Sequence, residues 1–143
     1  MLSKTTQYAI RALVYVELQN RDNERPGVNK IANEIGAPVS YSAKILHTLT
    51  KHGMLDSAKG RGGGFFFTGN QSAISLYEVI RVMEGDGLFC KCGFGLKSCN
   101  DDVPCPLHEE FNKIRNSLAQ FVKRESIRSV SARILKDNAV LTR

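Results

Sequence analysis

"GAPVSYSAKILHTLTKHGMLDSAKGRGGGFFFT", residues 36–68, places the signals of a turn, a helix and a hairpin in immediate succession. From Tyr41 to His52 the apolar residues Ile45, Leu46 and Leu49 recur at helical spacing and Gly53 stops the pattern, so the stretch predicts a helix that Ser40 can cap. Just upstream, Val28 to Ile35 predicts a shorter helix, with Ile31, Ala32 and Ile35 on one face and Gly36 as its stop. Two such helices joined by a short Gly-containing turn make a helix-turn-helix, in which the second helix is the candidate reader of a DNA major groove. Downstream, Met54 to Ala58 reads as a strand, Lys59 to Gly64 as a flexible basic turn, and Phe65 to Thr68 as a returning strand. A helix-turn-helix followed by a hairpin is a winged helix.

Working outward, Tyr8, Ala9, Ala12, Leu13 and Val16 predict a first helix over Ser3 to Leu18, and the polar stretch Asn20 to Gly27 a loop. Ser75 and Glu78 fit a capping box that opens a fourth helix running to about Met83. Gly85, Gly87, Gly93 and Gly95 are expected to break regular structure beyond it. Pro106 suits a first helical position, and Leu107, Phe111, Ile114, Leu118, Phe121 and Val122 then recur with a 3.6 period. Glu109, Lys113, Arg115 and Lys123 fall outside that stripe. A long amphipathic helix beyond a compact domain needs cover for its apolar face, which a symmetry mate would supply as a two-fold dimer; packing back on its own domain is the alternative. Residues 126–143 read as a short helix with a frayed, basic tail. The expected fold is mainly α: a winged helix-turn-helix DNA-binding domain over residues 1–83, a cysteine-rich loop over 84–106, and a long C-terminal dimerisation helix with its tail over 107–143.

The 143 residues suffice for one core without disulfides, and the net charge is +6. Residues 1–69 hold nine Lys/Arg against five Asp/Glu, residues 70–106 three against five, and residues 107–143 eight against four, so the basic excess flanks the middle of the chain. This balance agrees with nucleic acid as a partner. No stretch combines the parts of a secretory signal or approaches membrane-spanning length, so a cytoplasmic protein without a membrane partner is expected. Paired carboxylates, a nucleophile-base arrangement and the G-x-x-x-x-G-K-[ST] pattern are all missing, which argues against an enzyme.

On the third helix Ser40, Tyr41, Ser42, Lys44, His47 and Thr48 are polar and lie near or off the apolar stripe, where side chains can enter a groove. Lys59 and Arg61 sit among glycines that permit close approach to a nucleic-acid backbone, as at a wing tip. The candidate DNA-binding set is therefore Ser40, Tyr41, Lys44, His47, Thr48, Lys59 and Arg61.

All four cysteines fall within Cys90-x-Cys92-x6-Cys99-x5-Cys105-x2-His108. Cytoplasmic thiols stay reduced, so the cluster suggests metal binding or redox chemistry rather than a disulfide framework. Wide spacings with one histidine suit an iron-sulfur cluster better than structural zinc, which usually shows paired short knuckles. Zinc and direct thiol redox sensing stay open on spacing, as does a small carrier or oxidoreductase using Cys90-Lys91-Cys92.

"TTQYAIRALVYV" (Thr5 to Val16), "VSYSAKILHTLTKHGML" (Val39 to Leu55), "KGRGGGFFF" (Lys59 to Phe67) and "CGFGLKSCNDDVPCPLH" (Cys92 to His108) resemble the IscR/NsrR/RirA family of winged-helix transcriptional regulators. The resemblance spans nearly the whole chain. It implies a homodimer crossed through the long helix, double-stranded DNA bound at inverted-repeat promoter sites, and an iron-sulfur cluster near the dimer interface. Cys92, Cys99 and Cys105 match the family's cysteine ligands, and His108 the histidine that completes a two-iron cluster in the IscR branch. Ser40, Tyr41 and Lys44 fall on reading-helix positions and Lys59 on the wing. Six residues separate the first two ligands where IscR-like proteins have five. Gln7 stands where four-iron members can recruit an acidic ligand, which favours a two-iron (2Fe-2S) cluster over a four-iron one. Cys90 has no counterpart.

Overall fold

The computed structural model describes residues 1–142. Its centre is α1 (Lys4–Arg21), opened by Ser3, whose hydroxyl accepts the Thr6 N–H. Ala9, Ala12, Leu13 and Val16 are fully buried along it, so the sequence stripe is the core face, and the helix runs three residues past its expected end at Leu18. α2 (Val28–Ile35) ends at Gly36, whose φ of 68° is the left-handed cap that glycine adopts without strain. α3 (Val39–Lys51) buries Ser42, Ile45, Leu46 and Leu49 against α1 and α2.

The start of α3 corrects one expectation. Pro38, not Ser40, is the N-cap residue; its fixed φ suits the entry, and its carbonyl accepts both the N–H and the hydroxyl of Ser42 at 2.9 Å. Ser40 lies inside the first turn instead, with its side chain exposed.

β1 (Asp56–Ala58) and β2 (Gly64–Phe66) pair antiparallel with Ser57 opposite Phe65. Both strands are shorter than the hydrophobic runs suggested. The hairpin is fastened to the α1–α2 connection, because the Phe65 N–H donates to the Pro26 carbonyl and the Phe67 N–H to Asn20 Oδ1, each at 2.9 Å. A single 3-10 turn (Gln71–Ala73) then leads to α4 (Leu76–Glu84), where Ser75 and Glu78 form the expected reciprocal cap.

Glycines were expected to keep the next segment irregular, yet α5 (Gly87–Cys90) forms one helical turn. Packing overrides composition there: the Phe89 ring lies 4.8 Å from that of Tyr77 on α4. α6 (His108–Arg124) begins two residues after Pro106, which sits in a turn rather than at the first helical position. α7 (Ile127–Asp137) is capped by Ser126 and Ser129 and packs on α1, with Ile127 fully buried. Beyond it residues 138–142 are anchored rather than frayed, since Arg11 Nη1 donates to the Leu141 carbonyl at 2.8 Å, while Arg143 lies outside the described residues. Among the described residues no helix is long and apolar enough to cross a membrane.

One contact ties the end of α4 to the start of α1. Glu84 Oε2 accepts the Ser3 N–H at 3.0 Å and the Thr6 hydroxyl, at the positive end of the α1 dipole. Burial pushes the Glu84 carboxyl up, but the hydrogen bonds from Thr6 and Ser3 outweigh it and hold the group below its ordinary value. A depressed carboxyl adds stability above its unfolded pKa, and that stability is lost as pH falls through the folded value. Glu84→Gln is therefore expected to lower stability at pH 7 by about 0.5 kcal/mol, the modest size of a solvent-screened charge at a helix N-terminus. Urea titrations should show the gap from wild type closing as pH is lowered towards about 3.

Candidate DNA-reading face and cysteine centre

Burial of Ile45, Leu46 and Leu49 turns the opposite side of α3 outward. Ser40, Lys44 and His47 are exposed on it at i, i+4 and i+7. Tyr41 and Thr48 are half-buried, and their hydroxyls are engaged within the chain: Tyr41 bonds Thr5, and Thr48 donates to the Lys44 carbonyl at 3.1 Å. The Tyr41 ring also meets Tyr8 edge-on, 5.8 Å between centroids. Tyr41 thus braces the reading helix against α1.

Lys59 and Arg61 are exposed at the tip of the hairpin, where Gly60 and Gly62 have φ of 84° and 74°. Between α3 and the hairpin lies a cleft of about 490 Å³ whose lining includes His47, Thr50, Ser57 and Lys59. Sequence reading missed two cations here. Lys51 is exposed one turn beyond His47 on the same face, a spacing already legible in the sequence. Arg25 lies with its guanidinium 3.9 Å from the Phe66 ring centroid at the base of the wing, a long-range contact that no local pattern signals.

The cysteine segment lies against the first half of α6. Cys92, Cys99, Cys105 and His108 are each partly buried and stand as two pairs. Cys92 Sγ is 3.8 Å from Cys105 Sγ, and Cys99 Sγ is 3.4 Å from His108 Nδ1. The outer nitrogen of that ring, Nε2, meets Asp101 Oδ1 at 2.9 Å, a partner of the kind that orients a ligating imidazole. The Leu96 N–H contributes most to holding the Cys92 thiol below its ordinary value; Phe94, Cys105 and Gly95 add to this against the effect of burial. Among the described residues no three such donors stand close enough to hold a single metal ion.

Cys90 stands apart from these pairs. It is exposed on α5, and its thiol donates to the Asp86 carbonyl at 3.2 Å. Gly93 shows why the loop takes its path: a β-carbon there would lie 2.5 Å from the Phe111 ring, so the loop crosses α6 in contact with that ring.

The structure also divides the stripe read along α6. Leu107, Ile114 and Phe121, seven residues apart, are 44%, 59% and 44% exposed. His108, Arg115 and Val122, also seven apart, face inward together with Phe111 and Leu118. Arg115, expected outside the stripe, is only 8% exposed; it donates from Nη1 to the Lys91 carbonyl at 2.7 Å and from Nη2 to Cys99 Sγ at 3.2 Å.

A helix-turn-helix with a hairpin wing, carried on one core with a cysteine loop and two C-terminal helices, defines a winged-helix transcriptional regulator. Residues 2–133 match the Rrf2 family, described as an iron-dependent transcriptional regulator, and the chain belongs to that family. It is similar to the HTH-type transcriptional repressor NsrR of Streptomyces coelicolor, with 28% identity over 74% of this chain and 67% of the relative. The fold also resembles two solved structures. CymR (YrzC), the global cysteine regulator of B. subtilis, aligns with a TM-score of 0.73 at 17% identity, covering 92% of this chain and 96% of that one. IscR of T. potens aligns with a TM-score of 0.70 at 20% identity, covering 97% and 88%.

Proposed function

We propose that this regulator is a cytoplasmic homodimer whose binding to double-stranded promoter DNA is controlled by an iron-sulfur cluster held by Cys92, Cys99, Cys105 and His108. The observation that carries the proposal is the grouping of three thiols and one imidazole as two pairs beside α6. A two-iron cluster asks two protein donors of each iron, whereas a structural zinc gathers four on one ion. The donor set is chemically apt, and Arg115 supplies a cation beside it. The family's description as iron-dependent supports the same reading. A bound cluster would supply a centre sensitive to redox state, nitric oxide or iron supply.

In this reading residues 1–83 read an inverted repeat through Ser40, Lys44, His47, Lys59 and Arg61, with Tyr41 and Thr48 at the edge of the face and their hydroxyls engaged within the chain, residues 84–106 hold the cluster, and residues 107–143 supply the dimer helix. A ligand shifts an equilibrium only by its differential affinity for two states, so cluster-loaded and cluster-free protein must bind some promoter differently. The loop that would carry the cluster abuts the helix expected to cross the dimer, which connects loop order to the spacing of two reading heads.

Anaerobic purification with iron and sulfide quantitation and a visible spectrum tests the cofactor. Brown protein with equal iron and sulfide is expected. Colourless, iron-free protein would favour structural zinc or direct thiol sensing, which a zinc assay separates; for thiol sensing the 3.8 Å approach of Cys92 and Cys105 is the relevant feature.

The dimer is tested on the outer stripe of α6. Leu107, Ile114 and Phe121 repeat every seven residues, the spacing at which one helix packs along another. Sedimentation equilibrium should give twice the 15.9 kDa chain mass for the wild type and a single chain mass for Ile114→Glu. A variant that stays dimeric would remove α6 as the interface.

A further inference from the structure

Arg115 occupies the middle of the inner face of α6, a position where His108 precedes it by two turns and Val122 follows by two. An arginine in such a place must recover in protein contacts what it loses in hydration. Among the described residues no carboxylate pairs with it. Its partners are the Lys91 carbonyl, which is neutral, and the Cys99 sulfur. The side-chain acceptor that the structure offers to this buried cation is therefore the Cys99 sulfur.

The two contacts also bracket the loop. Lys91 immediately precedes Cys92, so one guanidinium pins the segment at both ends of the interval Cys92 to Cys99. That interval is held to the helix whose outer face is the exposed apolar stripe. Among the described residues no other arginine or lysine of α6 contacts a cysteine sulfur. Lys113 instead pairs with Glu110 at the surface, and Lys123 lies over the Tyr77 ring.

We infer that Arg115 is a positioning residue of the cysteine centre, clamping Lys91 and Cys99 to α6 and, by donating to the Cys99 sulfur, raising the reduction potential of the cluster held there. The inference rests on the cluster reading above. Its sign follows from charge: reduction adds negative charge to a thiolate-ligated cluster, and a fixed cation hydrogen-bonded to a ligand sulfur stabilises the reduced form more than the oxidised one.

The test compares wild type, Arg115→Met and Arg115→Lys, each purified anaerobically. Iron and sulfide are assayed, the reduction potential is titrated, and amide hydrogen exchange is followed over residues 91–99 in the metal-free chains. Arg115→Met is expected to lower the reduced-to-oxidised ratio at a fixed poise about tenfold, which is ~59 mV for a one-electron couple. Its metal-free form should exchange at least about fivefold faster across residues 91–99, without a matching change in the α3 amides. Arg115→Lys keeps the charge but loses the fork, so it should recover part of the potential and little of the exchange protection.

A loaded Arg115→Met protein with wild-type potential and wild-type exchange would overturn the inference. If that variant does not load or fold, Arg115→Lys decides: wild-type potential together with wild-type exchange overturns the inference, and a lowered potential with faster exchange supports it. Wild-type protein that binds no iron and sulfide contradicts the cluster reading itself, separately from Arg115, and also removes the potential half of the inference. In that case unchanged exchange in metal-free Arg115→Met would remove the clamp as well.

Discussion

Cys99→Ala protein purified without oxygen is expected to carry less than about a tenth of the wild-type iron and to lose the visible absorption of a cluster, because one of the four proposed donors is gone. The same substitution should weaken the metal-free protein, which sets it apart from removal of an ordinary surface thiol. Cys99 Sγ is the sulfur partner of Arg115, and without it the guanidinium retains only the Lys91 carbonyl. Leaving a buried donor short of a partner costs about 1–3 kcal/mol, so the urea midpoint of the metal-free variant should fall accordingly. Cys90→Ala supplies the contrast. Its thiol is exposed and bonds only the Asp86 carbonyl, so that variant should keep its iron, its colour and its stability. Equal iron content in Cys99→Ala and wild type would remove Cys99 from the site.

The second large effect is expected at the wing. A β-carbon on Gly64 would stand 2.2 Å from the Arg25 carbonyl oxygen and 2.7 Å from its carbon, and the residue's φ of 135° is one that side chains disfavour. Backbone cannot swing aside as a flexible side chain can. Gly64→Ala should therefore break the Phe65–Pro26 hydrogen bond, detach the hairpin from the α1–α2 connection, and displace Lys59 and Arg61 from the reading face. Strain of this kind runs to about 1–3 kcal/mol per residue, and affinity for promoter DNA should drop about tenfold to a hundredfold at moderate salt. The dependence of affinity on salt should become shallower, since fewer phosphate contacts remain. Gly62→Ala is the control, because its φ of 74° is unfavourable but open space surrounds it. Fluorescence anisotropy across a salt series separates the two variants. Matching curves for Gly64→Ala and wild type would mean that the wing contributes nothing to binding.

The helix-turn-helix and its wing were legible because their signals are local. Ile45, Leu46 and Leu49 mark the core face of α3, Gly36 and Gly53 mark stops, and the glycine run marks the hairpin turn. Errors arose where a residue that the apolar pattern does not weigh decided the outcome. Pro38 took the cap position from Ser40 because its fixed backbone already suits a helix entry. The Tyr77–Phe89 contact imposed a helical turn on a glycine-rich stretch. Docking of α7 on α1, and of the segment after it through Arg11 and Leu141, depends on contacts more than 100 residues apart in the chain, which periodicity does not report.

The cysteine centre shows the same division. Its candidate donors could be named from their spacing and resemblance, whereas Arg115 was hidden by its own charge. A single apolar stripe along α6 leaves no place for a buried cation, but the helix carries two stripes. Leu107, Ile114 and Phe121 line one, and His108, Arg115 and Val122 the other, each with a seven-residue repeat. One faces outward and the other inward, which becomes visible only once α4 and the cysteine loop are in place.

The central claim is that the state of the cysteine centre sets DNA affinity. It is tested most directly on one preparation, by selecting a duplex from a random library with anaerobic, iron-loaded protein and then measuring the affinity of that duplex before and after the iron is removed by chelation. At least a tenfold difference between the two forms, restored when iron and sulfide are returned, is the result expected; affinities equal within about twofold would contradict the account.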